Sequence, residues 1–85
     1  GVVVSSVMPS VTRGKSIVVI SAAKASQLNL TVTDVNGRSV MQINTRLTAG
    51  TNNVELNLAS LQGGVYFVHG EAAGEQLPAF RIVKQ

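Results

Sequence analysis

The chain offers few side chains that could perform chemistry, and they do not form a catalytic or metal-binding pattern. His69 is the only histidine, and cysteine is absent, which excludes thiolate zinc sites, disulfide bonds and cysteine nucleophiles. As a general base or metal ligand, His69 would need partners at a fixed spacing. Glu71 and Glu75 follow it closely, but in a segment rich in glycine and alanine that would not hold them rigidly. We therefore interpret His69 as a surface residue at the end of a strand.

The other candidates for chemistry also have simpler structural explanations. Asp34 stands in a turn and Glu55 on the polar face of a strand, whereas carboxylates that work as acid and base need a pocket that separates their pKa values. No serine stands in a Gly-x-Ser-x-Gly segment, and Gly63-Gly64 lacks the Lys-Ser/Thr of a phosphate-binding loop. The sequence predicts no enzyme, no catalytic residue, no metal ligand and no cofactor.

The composition argues against a nucleic-acid partner and favours a protein partner. The net charge is +3, but the basic residues are scattered singly, and the chain has only one tyrosine, two phenylalanines and no tryptophan. A nucleic-acid site would need a basic stripe or a platform of exposed rings, so nucleic acid is not an expected partner. Charged residues make up 13% of the chain, against roughly 25% in an average soluble domain. Such a surface suits a domain that a partner protein covers in part.

Short apolar runs with a period of two recur along the chain, separated by turn-forming residues. The clearest is 28–33, where leucine and valine alternate with asparagine and threonine. It leads into Asn36-Gly37, a pair that favours a two-residue type I′ hairpin turn. The run Ile17 to Ile20 is continuously apolar, as in a strand covered on both faces. The predicted strands are 2–8, 15–21, 28–33, 40–43, 54–58, 65–69 and 80–84, and 70–78 is predicted as a polar connection.

About seven short strands and no helix predict an all-β fold, an immunoglobulin-like sandwich of antiparallel strands. No shift in composition marks a boundary, so residues 1–85 are predicted to form one domain. The last strand, 80–84, is expected at a sheet edge. Edge strands pair readily with another protein or with a second copy of the chain, which would give a dimer.

Three segments carry a family resemblance. In 28–40, alternating apolar residues run into Asp34-Val35-Asn36-Gly37-Arg38; 58–68 reads Leu-Ala-Ser-Leu-Gln-Gly-Gly-Val-Tyr-Phe-Val; and 80–85 forms a short basic and apolar end. In this order, over nearly the whole chain, they resemble the C-terminal sorting domains of the type IX secretion system of Bacteroidota. The family's opening Tyr-Pro-Asn-Pro-like element is represented by 7–10, which keeps only the first proline.

The resemblance implies that the folded domain is itself the ligand. It would be read by the outer-membrane translocon and by shuttle and sortase proteins, and would direct an upstream cargo from the periplasm to the cell surface or the medium. A separate sortase-like peptidase typically removes it. The residues predicted to form or support the recognised surface are Gly64, Tyr66, Arg81, Ile82, Val83, Lys84 and Gln85. The alternative is a passive adhesion or carbohydrate-binding module of immunoglobulin or fibronectin type, although its scarce aromatic residues suit sugar stacking poorly.

Overall fold

The protein is an all-β structure without helices, as the sequence predicted. The computed structural model describes residues 1–85 and contains eight strands. With no helix present, no helical segment is long and apolar enough to span a membrane. The strands are β1 (Val2–Met8), β2 (Val11–Thr12), β3 (Lys15–Ala22), β4 (Ser26–Thr33), β5 (Ser39–Leu47), β6 (Gly50–Asn57), β7 (Gly64–Ala72) and β8 (Glu75–Lys84).

The strands form two sheets packed as a sandwich. One has three strands in the order β1-β3-β6, and the other has five in the order β2-β8-β7-β4-β5. Neighbouring strands are antiparallel except β2 and β8, which pair in parallel over two residues. The predicted sandwich is therefore confirmed, with an eighth strand that the prediction lacked. A two-residue strand has no periodicity from which it could be predicted.

The core is aliphatic and lies between the sheets. It consists of sixteen buried residues, of which Tyr66 is the only aromatic one. In β4, Leu28, Leu30 and Val32 face the core, as their alternation predicted. In β3, however, only Val18 and Ile20 are buried; Ile17 and Val19 are half-buried on the outer face. The interpretation of this run as a strand covered on both faces was wrong, because the smaller sheet has no layer outside it.

Residues 70–78 are not a polar connection, and this prediction was wrong. β7 and β8 form a hairpin whose turn residues, Ala73 and Gly74, both have positive φ (54° and 75°), as a two-residue type I′ turn requires. The sequence did not reveal these strands because two of the three core-facing residues of the segment, Gly70 and Ala72, are small. At Gly70 a Cβ would lie 3.0 Å from side-chain atoms of both Leu30 and Leu77, so a larger residue there would make both leucines shift by a few tenths of an ångström.

The short β2 covers the end of the last strand. Val11 pairs with Val83, and Thr12 pairs with Lys84. The backbone N–H of Val83 donates to the carbonyl of Ser10, and that of Gln85 donates to the carbonyl of Thr12, both at 2.8 Å. The end of β8 is thus not a free edge, in contrast to the expectation from the sequence.

Candidate functional site

The three segments that carry the family resemblance meet at one end of the sandwich. They are the β4–β5 loop (34–38), the β6–β7 loop (58–63) and the end of β8. Lys84 Nζ donates a hydrogen bond to the carbonyl oxygen of Leu61, 3.0 Å away. Gly63 lies against the end of β8, because a Cβ placed on it would be 3.4 Å from the carbonyl oxygen of Lys84, an ordinary van der Waals distance. The β4–β5 and β6–β7 loops line a common surface groove. The three segments, far apart in sequence, thereby form one continuous surface.

The β4–β5 loop is organised by the carboxylate of Asp34. Its Oδ1 accepts hydrogen bonds from the backbone N–H groups of Asn36 (2.9 Å) and Arg38 (3.0 Å), and its Oδ2 accepts one from Arg38 Nε at 3.2 Å. The N–H of Gly37 donates to the carbonyl of Asp34, and Gly37 has a φ of 82°. Asn36 does not have positive φ, so the predicted type I′ turn was wrong. The Asp-x-x-Gly-Arg pattern instead encodes a wider loop closed by its own aspartate.

The hydrogen bonds to this carboxylate stabilise its charged form. The backbone N–H of Arg38 is the largest influence and lowers the pKa of Asp34 below its ordinary value. Burial opposes this shift. The N–H of Asn36 and the guanidinium of Arg38 lower the pKa further. Asp34 is thus ionised at neutral pH and holds the loop in one conformation.

Two of the residues predicted for recognition lie inside the protein. Tyr66 is 7% exposed, and its hydroxyl donates to the carbonyl of Gln62 at 2.7 Å. Its cross-strand neighbour Ile82 is 0% exposed. Both residues therefore hold the site in shape from the core. Gly64, which begins β7, is exposed with a φ of 159°.

The remaining predicted residues follow the alternation of β8. Arg81 and Gln85 are exposed, and Val83 and Lys84 are half-buried. Val83 lies on the outer face of the sheet, because its neighbour Ile82 points into the core. A partner can therefore reach Arg81, Val83 and Gln85 from outside the sandwich.

On the outer face of the sheet, Val83 and Arg81 form a largely apolar patch with residues of the neighbouring strands. Val65 and Val11 flank Val83 on the neighbouring strands and form one cross-strand row with it. The next row places Phe67 directly opposite Arg81. Val11 is 48% exposed and Phe67 36%, so water contacts much of this apolar surface. We call these five residues the outer patch.

Sequence reasoning missed Val11, Val65 and Phe67 as members of the site. A signal existed for two of them, because a strand with Tyr66 facing inward must turn Val65 and Phe67 outward. No sequence signal identified Val11, whose position depends on the parallel pairing of β2 with β8.

The outer patch carries one positive charge, that of Arg81. Arg81 makes no ion pair, and the two ion pairs of the protein join Lys15 to Glu55 and Arg38 to Asp34. Glu71 and Glu75 lie at the far end of the β7–β8 hairpin, away from Arg81. The patch therefore fits a partner surface that combines apolar side chains with carboxylates.

Residues 14–84 match the family model of the Secretion system C-terminal sorting domain. This match covers most of the chain and includes all three segments that meet at the site. The chain belongs to this family. It is a C-terminal sorting signal of the type IX secretion system, and as such it interacts with the secretion machinery. Such a signal mediates export to the cell surface or secretion in Bacteroidota and is not itself catalytic.

A solved structure shares the fold of the sorting domain. It is the Pseudomonas fluorescens alkylpurine DNA glycosylase AlkC bound to DNA containing an abasic site analog, with a TM-score of 0.60 and 14% identity. The similarity covers 99% of the sorting domain but 30% of that chain, so the domain spans less than a third of the glycosylase. At this identity the likeness shows the fold alone. The search of curated proteins found no match.

His69 lies on the outer face of the sorting domain, in the same strand as Phe67. It is exposed, and its Nε2 lies 3.2 Å from Thr33 Oγ1. No three histidine, aspartate or glutamate side chains come together as a set that could hold a metal ion. The contact with Thr33 is a surface hydrogen bond between neighbouring strands.

Proposed function

We propose that the sorting domain is recognised as a folded shape, through the outer patch and the exposed end of β8. The proteins that bind it are the outer-membrane translocon and the shuttle and sortase proteins of type IX secretion. They bind the domain during its transit through the periplasm. An upstream cargo travels with it to the cell surface or the medium. In typical cargo a separate sortase-like peptidase then removes the domain, so this chain supplies no nucleophile.

One observation carries this proposal: the three family segments lie at one end of the sandwich, where the β6–β7 loop contacts both the last strand and the β4–β5 loop. Lys84 ties β8 to the β6–β7 loop, and Tyr66 and Ile82 support the same region from the core. These three residues, which belong to the family segments, therefore fix the shape of the surface around the end of β8. Arg81, Val83 and Gln85 then present side chains on that surface, with Gly64 and Lys84 at its border.

The chemistry of the outer patch suits protein recognition. Apolar side chains half-exposed beside a lone arginine are typical of interface centres, where arginine and aromatic residues are enriched. Phe67 next to Arg81 provides this combination. A passive adhesion or carbohydrate-binding module is the less favoured alternative. A sugar platform would require more exposed rings than this single phenylalanine.

The test is a reporter protein fused upstream of residues 1–85 in a bacterium with a type IX system. The double variant Phe67→Ser/Arg81→Glu removes the ring and reverses the charge of the outer patch. We expect the unmodified fusion to reach the surface and the variant fusion to accumulate in the periplasm. Cell fractionation and surface protease accessibility measure the distribution.

The matched control is Val3→Ser/Lys24→Glu, which makes the same kinds of change at exposed positions elsewhere. Thermal unfolding of both isolated variants checks that they fold. Surface delivery of the Phe67→Ser/Arg81→Glu fusion at the unmodified level would reject the outer patch as the recognised surface. Deleting 82–85 is a poorer test, because Ile82 is a core residue and the deletion would unfold the domain.

A further inference from the structure

The β5 strand is a sheet edge without a partner. It spans nine residues, pairs with β4 on one side, and ends the order β2-β8-β7-β4-β5. A free edge exposes a row of backbone N–H and C=O groups that another strand can bind. β5 is regular from Met41 to Leu47, and these seven residues are enough for a continuous ladder of hydrogen bonds.

The other edges carry features that hinder strand addition. β1 has a register shift between Val4 and Ser6, and β8 has Pro78 and is covered at its end by β2. At the start of β6, Asn52 Nδ2 donates to the carbonyl oxygens of Gly50 and Thr48. From Met41 onward β5 has none of these features, and no charged residue of β5 points toward the core face.

The core face of β5 is also incompletely covered. Met41 and Ile43 pair with Val32 and Leu30, which are buried, yet both are themselves only half-buried. A sheet of three strands cannot cover a sheet of five, so the outermost strand extends beyond it. Apolar side chains at this overhang gain burial if the sheet continues.

We infer that a second copy of this chain adds its own β5 to this edge, antiparallel and centred on Ile43. In that register Ile43 faces Ile43, and Met41 of one copy faces Thr45 of the other on the core face. On the outer face Gln42 faces Asn44. The sequence 41–45 is thus close to self-complementary, as a two-fold symmetric interface requires.

Charge is compatible with this register. Arg46 is the one charged residue of β5, and the residues of the second copy opposite it, Ser39 and Val40 at the irregular start of β5, are uncharged, so no like charges stand directly opposite. The outer patch lies near the opposite edge of the same sheet, on β2, β8 and β7. Dimer formation therefore leaves that surface open and does not depend on the proposed recognition function.

Cysteine pairs test the register, because the chain has no cysteine of its own. Gln42→Cys on one copy would face Asn44→Cys on the other, within the Cα separation of about 4.4–6.8 Å that a disulfide needs. In a dimer of either variant alone, the two cysteines are diagonal neighbours across the interface, about 7–8 Å apart, which is too far for a disulfide. We expect the mixture to form a disulfide-linked dimer and each variant alone to form little. A mixture of Gln42→Cys with Gln27→Cys, on the interior strand β4, is the control.

Charge variants at the same exposed positions test association without altering the core. Gln42→Lys/Asn44→Lys places lysine opposite lysine, and Gln42→Glu/Asn44→Glu places glutamate opposite glutamate. In sedimentation over a concentration series, we expect the unmodified chain to dimerise, each variant alone to stay monomeric, and their mixture to form the dimer. A monomeric unmodified chain, or dimers that persist in both variants, would overturn the inference. Cross-linking of Gln42→Cys with Gln27→Cys to the same extent as with Asn44→Cys would also overturn the inference.

Discussion

The ammonium group of Lys84 donates a hydrogen bond to the carbonyl of Leu61 and so joins the last strand to the β6–β7 loop. Hydrogen bonds of charged groups contribute about 1.5–3 kcal/mol when well buried, and Lys84 is half-buried. Lys84→Met keeps the aliphatic stem and removes the donor. We expect it to lower the free energy of unfolding by about 1 kcal/mol, measured by urea denaturation.

The control for this change is Arg81→Met, at an exposed neighbour without an ion pair. It should alter the free energy of unfolding by less than about 0.5 kcal/mol. An equal decrease in the free energy of unfolding in the two variants would show that Lys84 contributes through its positive charge alone and not through its hydrogen bond to Leu61.

The Asp34 loop should make stability depend on pH in the acidic range. The pKa of Asp34 is lower in the folded protein than in the unfolded chain, where it is about 3.9. The stabilisation is therefore fully present above the unfolded pKa and is lost as the pH falls through the folded pKa. We expect the denaturation midpoint to fall below about pH 4.

Asp34→Asn isolates this contribution. It keeps a side-chain oxygen as acceptor but removes the charge, so the variant should be less stable at neutral pH and lose less stability on acidification. Glu55→Gln, at an exposed position with a 3.8 Å ion pair, is the comparison. A Glu55→Gln variant that removes as much of the pH dependence as Asp34→Asn would contradict the assignment to the loop.

The β7–β8 turn contains a residue that does not suit its conformation. Ala73 has a φ of 54°, a left-handed conformation that costs an L-residue roughly 1–2 kcal/mol. Asparagine tolerates this conformation, and Asn-Gly is the preferred pair for such a turn. Ala73→Asn should raise the free energy of unfolding by about 0.5–1 kcal/mol, whereas Ala49→Asn, at an exposed position with negative φ, should not. Destabilisation by Ala73→Asn would be evidence against this turn.

His69 should be dispensable for transport. Its exposed ring contacts Thr33 and lies outside the five residues of the outer patch. We expect a reporter fused to the His69→Ala domain to reach the surface as efficiently as the unmodified fusion. Loss of an activity or of delivery in this variant alone would require a direct role for the imidazole.

Local patterns in the sequence were enough for the fold class and the family. Alternation in 28–33 fixed which face of β4 is buried, and the Asp34 loop and the 58–68 segment identified the sorting-domain family. These signals are local, since side-chain alternation and turn residues act within a few positions of one another. They failed where the residues were small, as at Gly70 and Ala72, or where a strand had two residues.

Only the tertiary structure decided which surfaces are free. The neighbours of β8 and β5 depend on pairings between distant segments, such as Val11 with Val83, and no local pattern specifies them. Those pairings cover the end of the last strand, bring Val65 beside it, and leave β5 at the edge. Sheet order follows from how the whole chain buries its apolar surface, and this is why alternation along one strand does not reveal it.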